Sequence, residues 1–326
     1  MSRPPHPTPE STGQAVRLLL QRGHLDLAPP GNGDTPSRHR TLMEITRRHR
    51  VGVGRLVEAH CDAVAILAEA DRPPVADALY GVWASASPEN GPTADGRSIS
   101  GIKRFCSGLG LVDRALVTAT DHRGGSQLFD LSVRSQSTVR HDTGGWSTIA
   151  LADTATGDAV FSVHPLDDDA EVGDADWYLR RPGFWQGACG PAACWAGAVT
   201  GLVDAARSSK PTDPHRLAHL GAMEATVWAF GSLLDSAGRQ IDAQPNDTRA
   251  AEHLARSLRH TVERLGADAL DRFERAFGPR PFTTDADLSG NGFTRIGEVV
   301  DGQGLTLLDE SSKPIPVDRL GYSHDG

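Results

Sequence analysis

Only four cysteines occur among the 326 residues, Cys61, Cys106, Cys189 and Cys194, and no two of them form a CxxC pair. Zinc-ribbon and thioredoxin-type spacings are therefore excluded. No stretch approaches the roughly 18 apolar residues of a membrane-spanning helix. The opening segment, MSRPPHPTPESTG, has no apolar core, so no secretory signal is expected there. These absences lead to the expectation of a cytoplasmic protein with reduced thiols and no membrane partner. Basic charge is also in short supply. The formal net charge is −9, and the densest basic cluster, Arg47-Arg48-His49-Arg50, is brief and reads as a solvated helix face. Nucleic acid, which demands basic patches, is not an expected partner.

Several chemical signatures are missing as well. There is no GxSxG elbow. Gly52-x-Gly54 lacks the third glycine and the preceding strand of a dinucleotide fingerprint. His215 and His219 share a helix face, but no glutamate lies between them and no third ligand is near, so no metal site is expected. Asp167-Asp168-Asp169 lacks the spaced oxygens and turn glycine of a calcium loop.

What is present is a sequence that changes period twice. Hydrophobic content of 38% allows a sizeable core, and the length allows about two or three domains. Residues 1–12 are rich in Pro, Ser and Thr and are expected to be unstructured. Apolar positions at helical spacing predict helices over 14–22, from 35 or 37 to about 48, and over 53–70. Between 78 and 165 short β-type runs alternate with Gly and Asp turns: 98–102, 115–119, 127–133, 146–151 and 159–164. Helical spacing returns at 188–207, a helix so rich in small residues that it must approach a neighbour closely. Asp213-Pro214 opens a second long helix, to about 242, and Thr248 a third, to 277. The resulting layout is α+β and multidomain: an N-terminal helical domain (13–76), a middle antiparallel, barrel-like β domain (77–166) and a C-terminal helical bundle (167–285). A divergent tail (286–326) follows. Strands and helices do not alternate, which excludes a doubly wound nucleotide-binding domain.

The segment with most chemical content is Gly101-Ile102-Lys103-Arg104-Phe105-Cys106-Ser107-Gly108. On a regular strand, Phe105 and Ser107 share one side. Trp83, Ser85 and Ala86 in the preceding strand supply similar groups. An aromatic wall beside hydroxyl and backbone donors is what a flavin ring requires.

These residues and their order resemble the acyl-CoA dehydrogenase superfamily, over about residues 13–285. Ala86-Ser87-Pro88 with Gly91 is similar to the family's Thr-Glu-Pro strand. The Gly101–Gly108 stretch is similar to its Gly-x-Lys-x-Trp-x-Thr/Ser segment, which packs on the flavin. Tyr178-Leu179-Arg180-Arg181-Pro182-Gly183 looks like the start of the first bundle helix. The resemblance implies FAD held by Trp83, Ser85, Ala86, Phe105, Cys106 and Ser107, with Arg181 near the substrate. It further implies α,β-dehydrogenation of an acyl-CoA or similar thioester, an electron-accepting flavoprotein as possible partner, and a homo-oligomer. Such chemistry needs a carboxylate base at the thioester α-carbon. One family position for that base falls on Arg180. The other falls in the divergent tail, where Glu298 and Glu310 stand outside any matching motif. Glu58 is a third carboxylate, read as structural. No catalytic base is assigned. Two readings of another kind follow: a member that has lost the reaction and acts as a binding or assembly protein, or a flavoprotein that uses reduced flavin and oxygen.

Overall fold

The computed structural model describes residues 8–85, 91–134, 137–148 and 150–278, with two short strands further on. The chain divides into two units, Met1–Gly292 and Phe293–Gly326. In the second, strands Leu307–Leu308 and Pro314–Ile315 pair antiparallel.

Helix α1 spans Pro9–Gln21. It starts ahead of the expected position 14 because Thr8 and Ser11 form a reciprocal capping box, with proline in the first turn. Residues 9–12, expected to be unstructured on composition, therefore belong to the helix. Helix α2 spans Thr35–Arg48 and α3 spans Val51–Glu69, as the apolar spacing predicts to within two residues.

Eight strands follow in one sheet: β1 (Tyr80–Trp83), β2 (Thr93–Ala94), β3 (Ser98–Cys106), β4 (Arg114–Thr120), β5 (Ser126–Ser132), β6 (Val139–Asp142), β7 (Gly157–Pro165) and β8 (Glu171–Val172). The order is β6-β7-β3-β2-β4-β5-β8, with β1 also on β4. The sheet is mixed rather than wholly antiparallel, because β1 and β2 both run parallel to β4. Among the described residues of 146–151 the expected strand is not formed. Trp146 sits in a loop where its indole Nε1 donates to Ala150 O at 2.9 Å. The strand of that region is β6, whose one buried apolar residue, Val139, is followed by Arg140, His141 and Asp142. Hydrophobic alternation could not reveal it.

Two short helices, α4 (Trp177–Arg180) and α5 (Gly183–Gly187), lead to three long ones, α6 (Gly190–Ser208), α7 (Pro214–Ala243) and α8 (Thr248–Phe277). Asp213 and Asp247 cap the last two, accepting from the backbone N–H groups of Arg216 and Ala250, both at 2.9 Å. The helix that completes the bundle comes from the other end of this unit: α2 packs against both α6 and α7. Helix α3 lies between bundle and sheet. Its Ala63, Ile66 and Leu67 pack with Tyr80, Leu116, Leu128 and Val172 in one buried cluster. Among the described residues no helix is long and apolar enough to cross a membrane.

Candidate functional site

Strand β3 ends in a ledge. Its register against β7 shifts between Lys103 and Cys106, and Phe105 takes a left-handed backbone (φ 58°). This bulge breaks the strand alternation expected to place Phe105 and Ser107 on one side. Instead Arg104 and Phe105 both face outward, and Phe105 is 52% exposed. An exposed aromatic at positive φ is costly on two counts, apolar exposure and backbone strain.

The ledge is braced from below. Trp83 is buried, and its Nε1 donates to Ser107 O at 2.9 Å. It is therefore a support beneath the ledge, not a wall open to solvent. Lys103 is also buried, and its ammonium donates to Ser85 O, Thr118 O and Thr118 Oγ1 at 2.8, 2.9 and 2.6 Å. Burial lowers its pKa to about 8, while three acceptors favour the charged form. It ties the segment after β1 to β3 and β4. The Ser85 hydroxyl donates to Arg104 O at 2.6 Å. Cys106 is buried with Sγ on Lys103 O, and burial pushes its thiol up to about 12; it offers no thiolate. Ala86, with Ser87 and Pro88, lies outside the described residues.

Ser107 is the polar group at the rim. Its Oγ lies 3.0 Å from Thr156 Oγ1, which lies 2.7 Å from Thr154 Oγ1, and Thr154 Oγ1 donates to Leu151 O at 2.7 Å. The hydroxyl protons thus run along one chain to Leu151 O, and the Ser107 oxygen keeps a lone pair for a ligand. The ledge thus offers an apolar residue beside one hydroxyl oxygen. Lys103 and Thr156, to which the sequence reading gave no role, hold it in place.

Arg181 lies elsewhere. It is 2% exposed, and its Nη1 donates to Glu69 Oε2 at 2.7 Å. Glu69 is the last residue of α3, whereas Gly108 meets α3 at Leu56. Thirteen residues at 1.5 Å each put these points ~20 Å apart along the helix. The sequence-derived flavin and substrate residues are therefore not brought together.

No carboxylate is identified as a base at the ledge. Arg180 is exposed, with its guanidinium on Ala175 O and Asp176 O. Glu298 and Glu310 lie outside the described residues. Glu58 is buried against Gly190, paired with Arg55 at 2.7 Å, and burial raises its carboxyl to about 7. A carboxyl whose folded pKa exceeds its unfolded value stabilises fully below the unfolded value. That contribution is lost as pH rises from about 4.5 through 7. Urea unfolding at pH 5 and pH 8 is expected to show Glu58→Gln gaining on the native protein by about 3 kcal/mol across the interval. Parallel pH curves for the two proteins would show that Glu58 ionises normally.

No protein-family model and no curated protein matches the sequence. Solved structures do match the fold. FMN-bound TdsC from Paenibacillus sp. A11-2, a dibenzothiophene monooxygenase, superposes with a TM-score of 0.70 at 18% identity, covering 88% of this chain and 85% of that one. Methanesulfinate monooxygenase MsuC from Pseudomonas fluorescens gives 0.63 at 16% identity, over 87% and 89%. An FAD-dependent dehydrogenase gives 0.64 at 14%, over 86% and 88%. With N-terminal helices, a central mixed sheet and C-terminal helices arranged as in these proteins, the chain has the acyl-CoA dehydrogenase-like fold.

Proposed function

We propose that this protein is a flavin-dependent oxidoreductase that oxygenates a small organic substrate with reduced flavin and molecular oxygen. The observation that carries the cofactor is the ledge: a half-exposed Phe105 beside the Ser107 hydroxyl oxygen at the head of a hydroxyl chain. Those two groups suit the apolar face and the polar edge of an isoalloxazine. When bound, the flavin supplies two electrons. One atom of oxygen goes to the substrate and the other leaves as water, with the two protons of the reduced cofactor. Phe105 would pack on the ring and Ser107 would hydrogen-bond its polar edge, while Trp83 and Lys103 keep both in position.

Oxygenation is preferred to dehydrogenation for two reasons. Dehydrogenation needs a carboxylate at the reacting carbon, and the residue at the first bundle position is Arg180. The neighbours in fold include two monooxygenases, one of them FMN-bound, so FMN is the leading cofactor. The likeness to an FAD-dependent dehydrogenase keeps a second reading: FAD-linked α,β-dehydrogenation of an acyl-CoA thioester, with electrons passed to a flavoprotein acceptor.

Fluorescence titration with FMN and FAD is the first experiment. Ser107→Ala and Phe105→Ala are each expected to weaken flavin binding about fivefold to tenfold. Unchanged affinity in both would remove the ledge as the flavin site. Oxygen uptake with supplied reduced FMN and a sulfide or indole panel then tests oxygenation, and anaerobic bleaching by an acyl-CoA mixture tests dehydrogenation. A protein that binds no flavin would overturn this reading, and a binding or assembly role would take its place.

A further inference from the structure

Helix α7 is apolar on more sides than its neighbours cover. Between Leu217 and Leu234 it carries one acidic or basic residue, Glu224. A helix with so little charge is ordinarily enclosed. Helices α2, α6 and α8 pack against one side of it, where Met223, Phe230 and Leu234 are buried. The other side is open among the described residues. Trp228 is 75% exposed, the most of any large apolar residue described, and Leu217 is 47% exposed. Gly221, Ala225 and Ser232 are exposed as well. These five recur at steps of three and four residues, so they form one seam along the helix. Helix α8, of the same length, instead has a charged residue in every four.

Gly221 makes a notch in that seam. Glycine inside a helix is destabilising relative to alanine. At Gly197 and Gly238 the chain's own packing requires it, since an added Cβ would collide with Met43 O and with the Pro36 backbone on α2. At Gly221 an added Cβ meets nothing within 4 Å among the described residues. The notch is therefore shaped for something outside the bundle.

The seam is self-complementary. Gly221 and Trp228 lie equally far from the midpoint between Glu224 and Ala225, and so do Leu217 and Ser232. A two-fold axis at that midpoint runs two copies of α7 antiparallel. Each Trp228 then faces the partner's Gly221, and each Leu217 faces the partner's Ser232. Large meets small on both sides, as an isologous contact requires, and the opposed helix dipoles attract. Charge also favours a second copy. Glu224 pairs with Arg207 Nε at 3.0 Å on its own chain, and Asp235, at the end of the seam, pairs with Arg239. Copies of a chain with net charge −9 repel through their other surfaces, but not through this one. A basic partner drawn to that net charge finds no free carboxylate here. Depletion of charge around a central Trp is the composition of an interface core.

We infer that this face of α7 is a two-fold interface with a second copy of the chain, in which Trp228 seats in the notch at the partner's Gly221. The contact does not depend on the flavin reading, which rests on β3.

Sedimentation of the full chain tests it. The native protein at micromolar concentration is expected at an even multiple of the 34.7 kDa chain mass. Trp228→Gly and Gly221→Leu are each expected to weaken association roughly hundredfold or more, because the two-fold axis counts each change twice. Neither position packs in the chain's own core, so both variants should keep the native circular dichroism. The double variant Gly221→Trp with Trp228→Gly exchanges knob and notch. Under a two-fold axis it should restore the association that Trp228→Gly alone loses. A monomeric native protein would overturn the proposal and leave the seam to an unlike protein or to chain residues beyond 278. Unchanged association in either folded single variant, or a folded double variant that stays dissociated, would also overturn it.

Discussion

Replacing Asp130 by alanine is expected to lower the unfolding free energy by about 3–5 kcal/mol. Asp130 lies on β5 and is 3% exposed. Its Oδ1 accepts from Arg114 Nε at 2.8 Å, and its Oδ2 accepts from the Tyr80 hydroxyl at 3.3 Å. Arg114 also donates to Asp130 O at 3.2 Å, so the guanidinium is clamped to this one residue. Alanine would leave a largely buried cation without its anion. It would also strip an acceptor from Tyr80, a fully buried ring in the cluster that seats α3 on the sheet. The damage therefore falls on the joint between sheet and helices. Asn at the same position keeps an acceptor of similar shape and should cost less. Urea midpoints at unchanged slope would measure both. A loss below about 1 kcal/mol in the alanine variant would mean that water replaces the carboxylate, as at exposed ion pairs.

How much of this was legible beforehand depended on the range of the interaction. Asp213-Pro214 gave the start of α7, because capping is decided within four residues. Helix α1 shows the same physics overlooked: its Thr8/Ser11 cap lies inside a segment dismissed on composition. The β3 segment was legible as chemistry but not as geometry. Its residue types pointed to a flavin-like surface, yet the bulge that turns Phe105 outward depends on register with β7. Thr156, 49 positions from Ser107, and Glu69, 112 positions from Arg181, are joined to their partners only by the tertiary fold. The packing of α2 with the bundle was invisible for a similar reason. Amphipathic spacing shows that a helix has an apolar face, not which helix will cover it.

That packing yields the other large effect. Gly197→Leu in α6 is expected to abolish stable folding, or to lower the melting temperature by roughly 10 °C or more. A Cβ at position 197 would lie 2.2 Å from Met43 O and 2.9 Å from Thr46 Cβ on α2. The obstacle is backbone, so no rotamer change on α2 relieves it; the helices must separate. Separation opens voids around buried Leu42 and Ile45, which contribute about 1.5–3 kcal/mol each when fully covered. Alanine discriminates this mechanism from a simple dislike of large side chains. In a helix, Gly→Ala ordinarily gains about 1 kcal/mol. At Gly231 on α7, where an added Cβ meets nothing within 4 Å, that gain should appear. At Gly197 the same methyl should destabilise, because the collision outweighs the propensity. Thermal melts of the two alanine variants should therefore shift in opposite directions. Equal upward shifts would mean that α2 yields to the bundle at little cost. Opposite shifts would show that the segment before the sheet is as much a part of the bundle's core as the helices after it.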